Sequence, residues 1–99
     1  MHLGEKDLLM GTVAARMKAK LDSRFSPELI EIKDDSDKHK GHSGSSEAGE
    51  THFSITIKSS VFLGVNRVGR QRLVMNALSE ELAGPVHALS IKTLAPGEE

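Results

Sequence analysis

The sequence has no cysteine, no tryptophan and no tyrosine, and each absence narrows what the chain can do. Without cysteine no disulfide can form, and the chain owns no thiolate for a soft metal or an iron–sulfur centre. Only three residues are aromatic, Phe25, Phe53 and Phe62, so the core of this 99-residue chain is modest and belongs to one domain. No apolar run approaches the roughly 20 residues that a membrane-spanning helix needs. The formal charge of −1 supplies no global field to draw nucleic acid or an anionic membrane. The opening Met1-His2-Leu3-Gly4-Glu5-Lys6-Asp7 reads as neither a signal peptide nor an Arg/Ser-rich transit peptide.

What is present falls into a helix–strand–strand–helix–strand order. Val13, Met17, Leu21 and Phe25 recur every fourth residue with Ala14 beside them, which predicts a helix with one buried stripe. Thr12 or a neighbour would cap its start, and Ser26-Pro27 stops it. Leu29 to Lys33 alternates, with Ile30 and Ile32 on one side. Thr51 to Lys58 alternates more clearly: Phe53, Ile55 and Ile57 face in, and His52, Ser54, Thr56 and Lys58 face out. Between them, residues 34–50 form a polar connection without periodicity, of a length that is usually functional or disordered. Phe62 anchors the next turn and Gly64 bends it. Asn66 is placed to cap a single second helix that buries Val74, Ala77, Leu78 and Leu82. Gly84, at positive φ, and Pro85 would close that helix. The third strand spans 86–93, with His87 as its first residue on the parity of Leu89 and Ile91, at the mouth of an apolar face. The domain covers 12–93, with flexible ends at 1–11 and 94–99.

Strands one and two should pair antiparallel, and strand three should join strand two in parallel through a right-handed crossover. The fold class is α+β, a two-layer sandwich of two helices on a three-stranded mixed sheet. This connectivity carries His39, His42, His52 and His87 toward one end of the molecule. His39-Lys-Gly-His42 has a spacing that metal ligands use, and imidazole binds zinc, copper and iron. His52, on the wet side of the sheet, is given no role.

The second helix breaks a rule. Arg67, Arg70 and Arg72 crowd its first turns, and Glu80 and Glu81 its last, each opposing the helix dipole at ~0.3–1 kcal/mol. Either an anion, an acidic partner or a nucleic-acid backbone meets those arginines, or acidic residues of another element pair with them. The topology puts this cluster at the sheet end opposite His87. No nucleophile, base and orienting group come together in the sequence, so the chain reads as a non-enzyme.

Several segments together resemble one family. Phe25-Ser-Pro-Glu-Leu29, Asp35-Ser36 followed by His39, Gly49-Glu-Thr-His-Phe53, Arg70-Gln-Arg-Leu-Val74, Ala77-Leu-Ser-Glu-Glu-Leu82 and Gly84-Pro-Val-His-Ala-Leu-Ser90 are similar in order and spacing to the BolA-like proteins, from about Val13 to Thr93. The resemblance implies a helix–strand–strand–helix–strand sandwich related to class II KH domains. It implies a partner, a monothiol glutaredoxin, and a shared [2Fe–2S] cluster with glutathione supplied through that partner. It implies His87 as one cluster ligand, with a second from the loop. His39 matches that loop position counted from Asp35-Ser36, and His42 lies nearer to it counted back from Gly49-Glu50. The chain departs from the family at Gln71, where Arg-His-Arg is usual.

The resemblance also implies a rival reading. Some members influence transcription or stress responses, with DNA contacts proposed on the second helix, here Arg67, Arg70 and Arg72. A zinc site of His39, His42 and His87 is a third reading. A homodimer in the absence of a partner is a further alternative. The expected compartment is the cytoplasm of a bacterium, or the mitochondrial matrix of a eukaryote after a presequence is trimmed.

Overall fold

The computed structural model describes residues 11–35 and 50–99. Helix α1 runs Thr12–Phe25, β1 Leu29–Asp34 and β2 His52–Lys58. A single 3₁₀ turn, Ser60–Phe62, leads to α2 at Arg67–Ala77, α3 at Ser79–Ala83 and β3 at Ala88–Leu94. The sheet order is β1-β2-β3, with β1 antiparallel to β2 and β3 parallel to β2. The register pairs Ile32 with Ile55 and Ile55 with Ile91, so the inward residues of all three strands form continuous rows.

The core follows from the two periodicities. Met17, Leu21, Phe25 and Ala14 are buried along α1, and Phe53, Ile55 and Ile57 along β2. Val74, Ala77 and Leu78 join them from the second helical segment, while Ile30, Ile32, Leu89 and Ile91 pack at the edges. Phe62 is fully buried, and its ring centroid lies 5.3 Å from that of Phe25. Buried Ser59 fastens this corner. Its hydroxyl donates to the Phe25 carbonyl at 2.6 Å and accepts from the Val61 N–H at 3.1 Å. Gly64 bends the chain at φ +76, where an L side chain is strained.

Four expectations need correction. The second helix is not continuous. It breaks at Leu78, whose φ of −106 and ψ of 21 leave the helical range and whose N–H is shared between the Val74 and Met75 carbonyls, both at 3.1 Å. Leu78 and Leu82 suit one unbroken stripe, so the pattern hides the break. The break puts Glu80 and Glu81 in the first turn of α3, where carboxylates agree with the helix dipole. Gly84 has φ −116, not a positive value; the turn closes through N–H bonds from Gly84 and Val86 to the Glu81 carbonyl. The third strand begins at Ala88, not at 86, and ends at Leu94. The cap of α1 is also different. Gly11 holds the N-cap position with no side-chain bond of its own, and the acceptor comes from Glu50, far along the chain. Asn66 caps α2 as its position predicts, accepting from the Gly69 N–H at 2.8 Å.

Candidate functional site

Where β2 and β3 start, one carbonyl organises two strands. Thr51 O accepts from the His87 N–H at 2.7 Å and the Ala88 N–H at 3.2 Å. This shared bond breaks the alternation. Val86 is buried, His87 and Ala88 are both exposed, and Leu89 turns inward again. His87 therefore does not sit on the parity of Leu89 and Ile91 at an apolar mouth; its ring stands outward. There it meets His52, with ring centroids 6.1 Å apart and planes at 73°. His52 Nδ1 lies 2.8 Å from the hydroxyl of buried Thr51. Sequence reasoning set His52 aside, although the parallel pairing of β2 and β3 was itself the signal, since it starts both strands at one end. His39 and His42 lie outside the described residues, so the gathering of four histidines is described for His52 and His87.

Both approaches to this end are fastened. The Asp35 N–H donates to the His52 carbonyl at 2.7 Å, and the Ser54 hydroxyl donates to the Asp35 carboxylate. The Glu50 N–H donates to Asp34 Oδ2 at 3.0 Å. Glu50 itself adopts φ +63 and sends its carboxylate to the start of α1, where Oε2 accepts from Val13 N–H at 3.0 Å and Ala14 N–H at 3.2 Å. Gly11 makes room for it: a Cβ there would stand 1.9 Å from Glu50 Oε2.

At this end the chain offers nitrogen and oxygen donors and no sulfur. Among the described residues, no three or more His, Asp or Glu side chains come together as a metal site. Two imidazoles suit part of a coordination sphere, and the rest must come from outside the pair. The zinc set of His39, His42 and His87 is described here only at His87.

The opposite end carries the arginines. Arg70 grips Glu98 with two parallel bonds of 2.6 and 3.0 Å, and its Nε donates to the Val65 carbonyl at 2.7 Å. The fork raises the Arg70 pKa and holds the Glu98 carboxyl down to about 2. Arg70 is thus an ion pair with another element, while Arg67 and Arg72 are exposed. Glu98 also accepts from the Ala95 N–H at 2.9 Å, which fastens residues expected to belong to a flexible tail. Gln71 donates to the Ile91 carbonyl at 2.9 Å, on the edge strand of the sheet. An open groove of about 670 Å³ lies along this edge, lined by Arg67, Gln71, Lys92 and Glu98 among others. Val68 and Met75 remain half-exposed on α2.

A third charged cluster joins the helices. Lys20 Nζ lies 2.6 Å from Glu80 Oε1, and 3.0 and 2.8 Å from the two oxygens of Glu81, of which only the first is aligned as a hydrogen bond. Glu81 is fully buried. The bond to Glu80 is the main reason the Lys20 pKa is raised and the Glu80 pKa is lowered. Among the described residues, no helix is long and apolar enough to cross a membrane.

Comparison with known proteins bears on this arrangement. A family model described as BolA-like protein matches residues 21–98. BolA-like protein 1 of Mus musculus is 47% identical over 88 residues, 89% of this chain and 61% of that protein. The chain thus spans less than two thirds of the length of the mammalian relatives it matches. A Vibrio cholerae protein, DNA-binding transcriptional regulator BolA, is 39% identical over 82 residues, 83% of this chain and 74% of that one. The solved BolA domain of SufE1 from Arabidopsis thaliana aligns with a TM-score of 0.78 at 38% identity, over 88% of this chain and 95% of that domain.

Proposed function

Since this chain belongs to the BolA-like family, we propose that it is a non-enzymatic adaptor in iron–sulfur cluster trafficking. It shares a [2Fe–2S] cluster with a monothiol glutaredoxin, using His87 and a second histidine. His39 and His42 are the loop candidates for that second ligand. The observation that carries this reading is His87 itself, an exposed imidazole whose backbone is tied to β2 through Thr51. A cluster needs thiolate or imidazole ligands, and this chain has imidazole alone. The sulfur must therefore come from a partner, and a glutaredoxin cysteine with bound glutathione supplies it. Mixed Cys/His ligation raises the reduction potential relative to all-cysteine sites, which suits transfer or sensing.

The test is to mix the chain with a cluster-loaded monothiol glutaredoxin and record visible absorption and circular dichroism. Adding the chain should change the spectrum, and His87→Ala should abolish the change. A spectrum indifferent to the chain would refute the adaptor role.

A second reading draws on the Vibrio cholerae relative, whose name describes a DNA-binding regulator. Here the available cations are Arg67 and Arg72, because Arg70 is held by Glu98. Two exposed arginines on a chain of charge −1 make a small electrostatic footprint. DNA titrations at two salt concentrations, with Arg67→Ala plus Arg72→Ala, decide it. Binding that these substitutions leave unchanged removes the second reading.

A further inference from the structure

We propose that the second imidazole is His52, so that His52 and His87 form the chain's own metal-donor pair. This rests on the adaptor reading and refines it, placing both ligands on the sheet instead of one on the connection between β1 and β2. The two rings already meet edge to face with centroids 6.1 Å apart. Metal–nitrogen bonds of about 2.0–2.1 Å at tetrahedral angles would bring two imidazole centroids to about 5 Å. Side-chain torsions of an exposed and a half-buried residue supply a shift of that size.

The backbones beneath the rings are fixed. His52 pairs with Ala88 in the parallel register, and Thr51 O binds the amides of His87 and Ala88 together. A site whose ligands sit on strands is held to tighter geometry than one on a loop. His52 also has the support that ligand histidines need. Its Nδ1 lies 2.8 Å from the Thr51 hydroxyl, and Thr51 is 8% exposed, so a second group orients the ring and directs Nε2 outward to coordinate. The pair leaves the remaining positions on the metal to a partner, as a shared centre requires.

The experiment has two arms, each with the whole chain. In the first, Zn²⁺ is added to the chain alone and the histidine side chains are followed by nitrogen–proton NMR. Resonances of His52 and His87 should move together, and either His52→Ala or His87→Ala should weaken zinc binding by about tenfold or more. In the second, the glutaredoxin mixture is repeated with His52→Ala, His87→Ala and the double variant His39→Ala/His42→Ala. His52→Ala and His87→Ala should both alter the cluster spectrum, and the loop double variant should not. Loss with His87→Ala but not with His52→Ala overturns this inference and leaves the adaptor standing. If even His87→Ala is silent, the adaptor reading falls, and the zinc arm then decides the pair: no joint movement of the two rings overturns it. Amide spectra of each variant establish that the fold is retained.

Discussion

The contact between Glu50 and the start of α1 gives a sharp test of how this fold is fastened. Glu50→Ala removes the acceptor of two N–H groups that the helix cannot satisfy internally, those of Val13 and Ala14. Loss of an N-cap acceptor costs ~0.5–2 kcal/mol, and loss of the negative charge beside the dipole belongs to the same interaction. Alanine tolerates the left-handed backbone of residue 50 no better than glutamate, so the difference reports the carboxylate. At about 4–8 °C per kcal/mol in a domain of this size, a cost near 1–1.5 kcal/mol lowers Tm by roughly 4–12 °C. Gly11→Ala attacks the same contact from the other side, because its Cβ would stand 1.9 Å from Oε2. Urea unfolding of the two single variants and the double variant then closes a cycle. Once the carboxylate is gone the new methyl has nothing to displace, so the double variant should cost about 0.5 kcal/mol or more less than the sum of the singles. Additive costs, within ~0.3–0.5 kcal/mol, would mean that Gly11 and Glu50 act separately and the reasoning is wrong.

Two further outcomes are expected. The Glu98 carboxyl, held at about 2 by Arg70, binds its proton less readily than in the unfolded chain, so this pair stabilises the fold above the ordinary carboxylate range and its contribution fades as pH falls from about 4.5 toward 2. Glu98→Gln should therefore flatten the loss of stability across that window, measured by urea midpoints at several pH values; an unchanged slope would remove the pair from the account. Lys20→Met should lower the urea midpoint by leaving buried Glu81 without its cation, and adding Glu81→Leu should recover most of the loss. A double variant less stable than Lys20→Met alone would show that the Glu81 carboxylate does something other than answer Lys20.

The parts of the fold that were legible are those with a period. The α1 stripe and the alternation of β2 are written in the spacing of Met17, Leu21 and Phe25 and of Phe53, Ile55 and Ile57, and the burial follows them. The order of elements then forced the sheet order, because an odd helix between strands two and three requires a parallel pair. What stayed hidden has no local sign. The cap of α1 joins residues 36 and 37 apart, Arg70 finds Glu98 across 28 positions, and Lys20 finds Glu81 across 61. The break at Leu78 serves Leu78 and Glu81 in three dimensions while leaving the apolar stripe intact. His87 was misplaced for a similar reason: a shared carbonyl at Thr51 shifts the alternation by one, and composition does not record it. The candidate site was therefore located at the correct end from connectivity, but its nearest pair, His52 with His87, needed coordinates.

Gln71 shows how the departure from the family pattern is absorbed. A histidine is usual there, and glutamine cannot ligate a metal as imidazole does. Yet the side chain's task in this fold is to donate an N–H to the Ile91 carbonyl on the outer edge of β3. An imidazole N–H can donate such a bond as well, so the exchange keeps the chemistry the edge requires. The position also lies away from the histidine pair. Ile91 is four residues beyond His87, about 13 Å along a strand, and Gln71 lines the groove beside Arg67 and Glu98. A ligand at that distance does not complete a centre at His87, whose metal bonds are about 2 Å long. The loss of a histidine at 71 therefore leaves the proposed donor pair intact, and it places position 71 with the architecture of the sheet edge instead of with the metal.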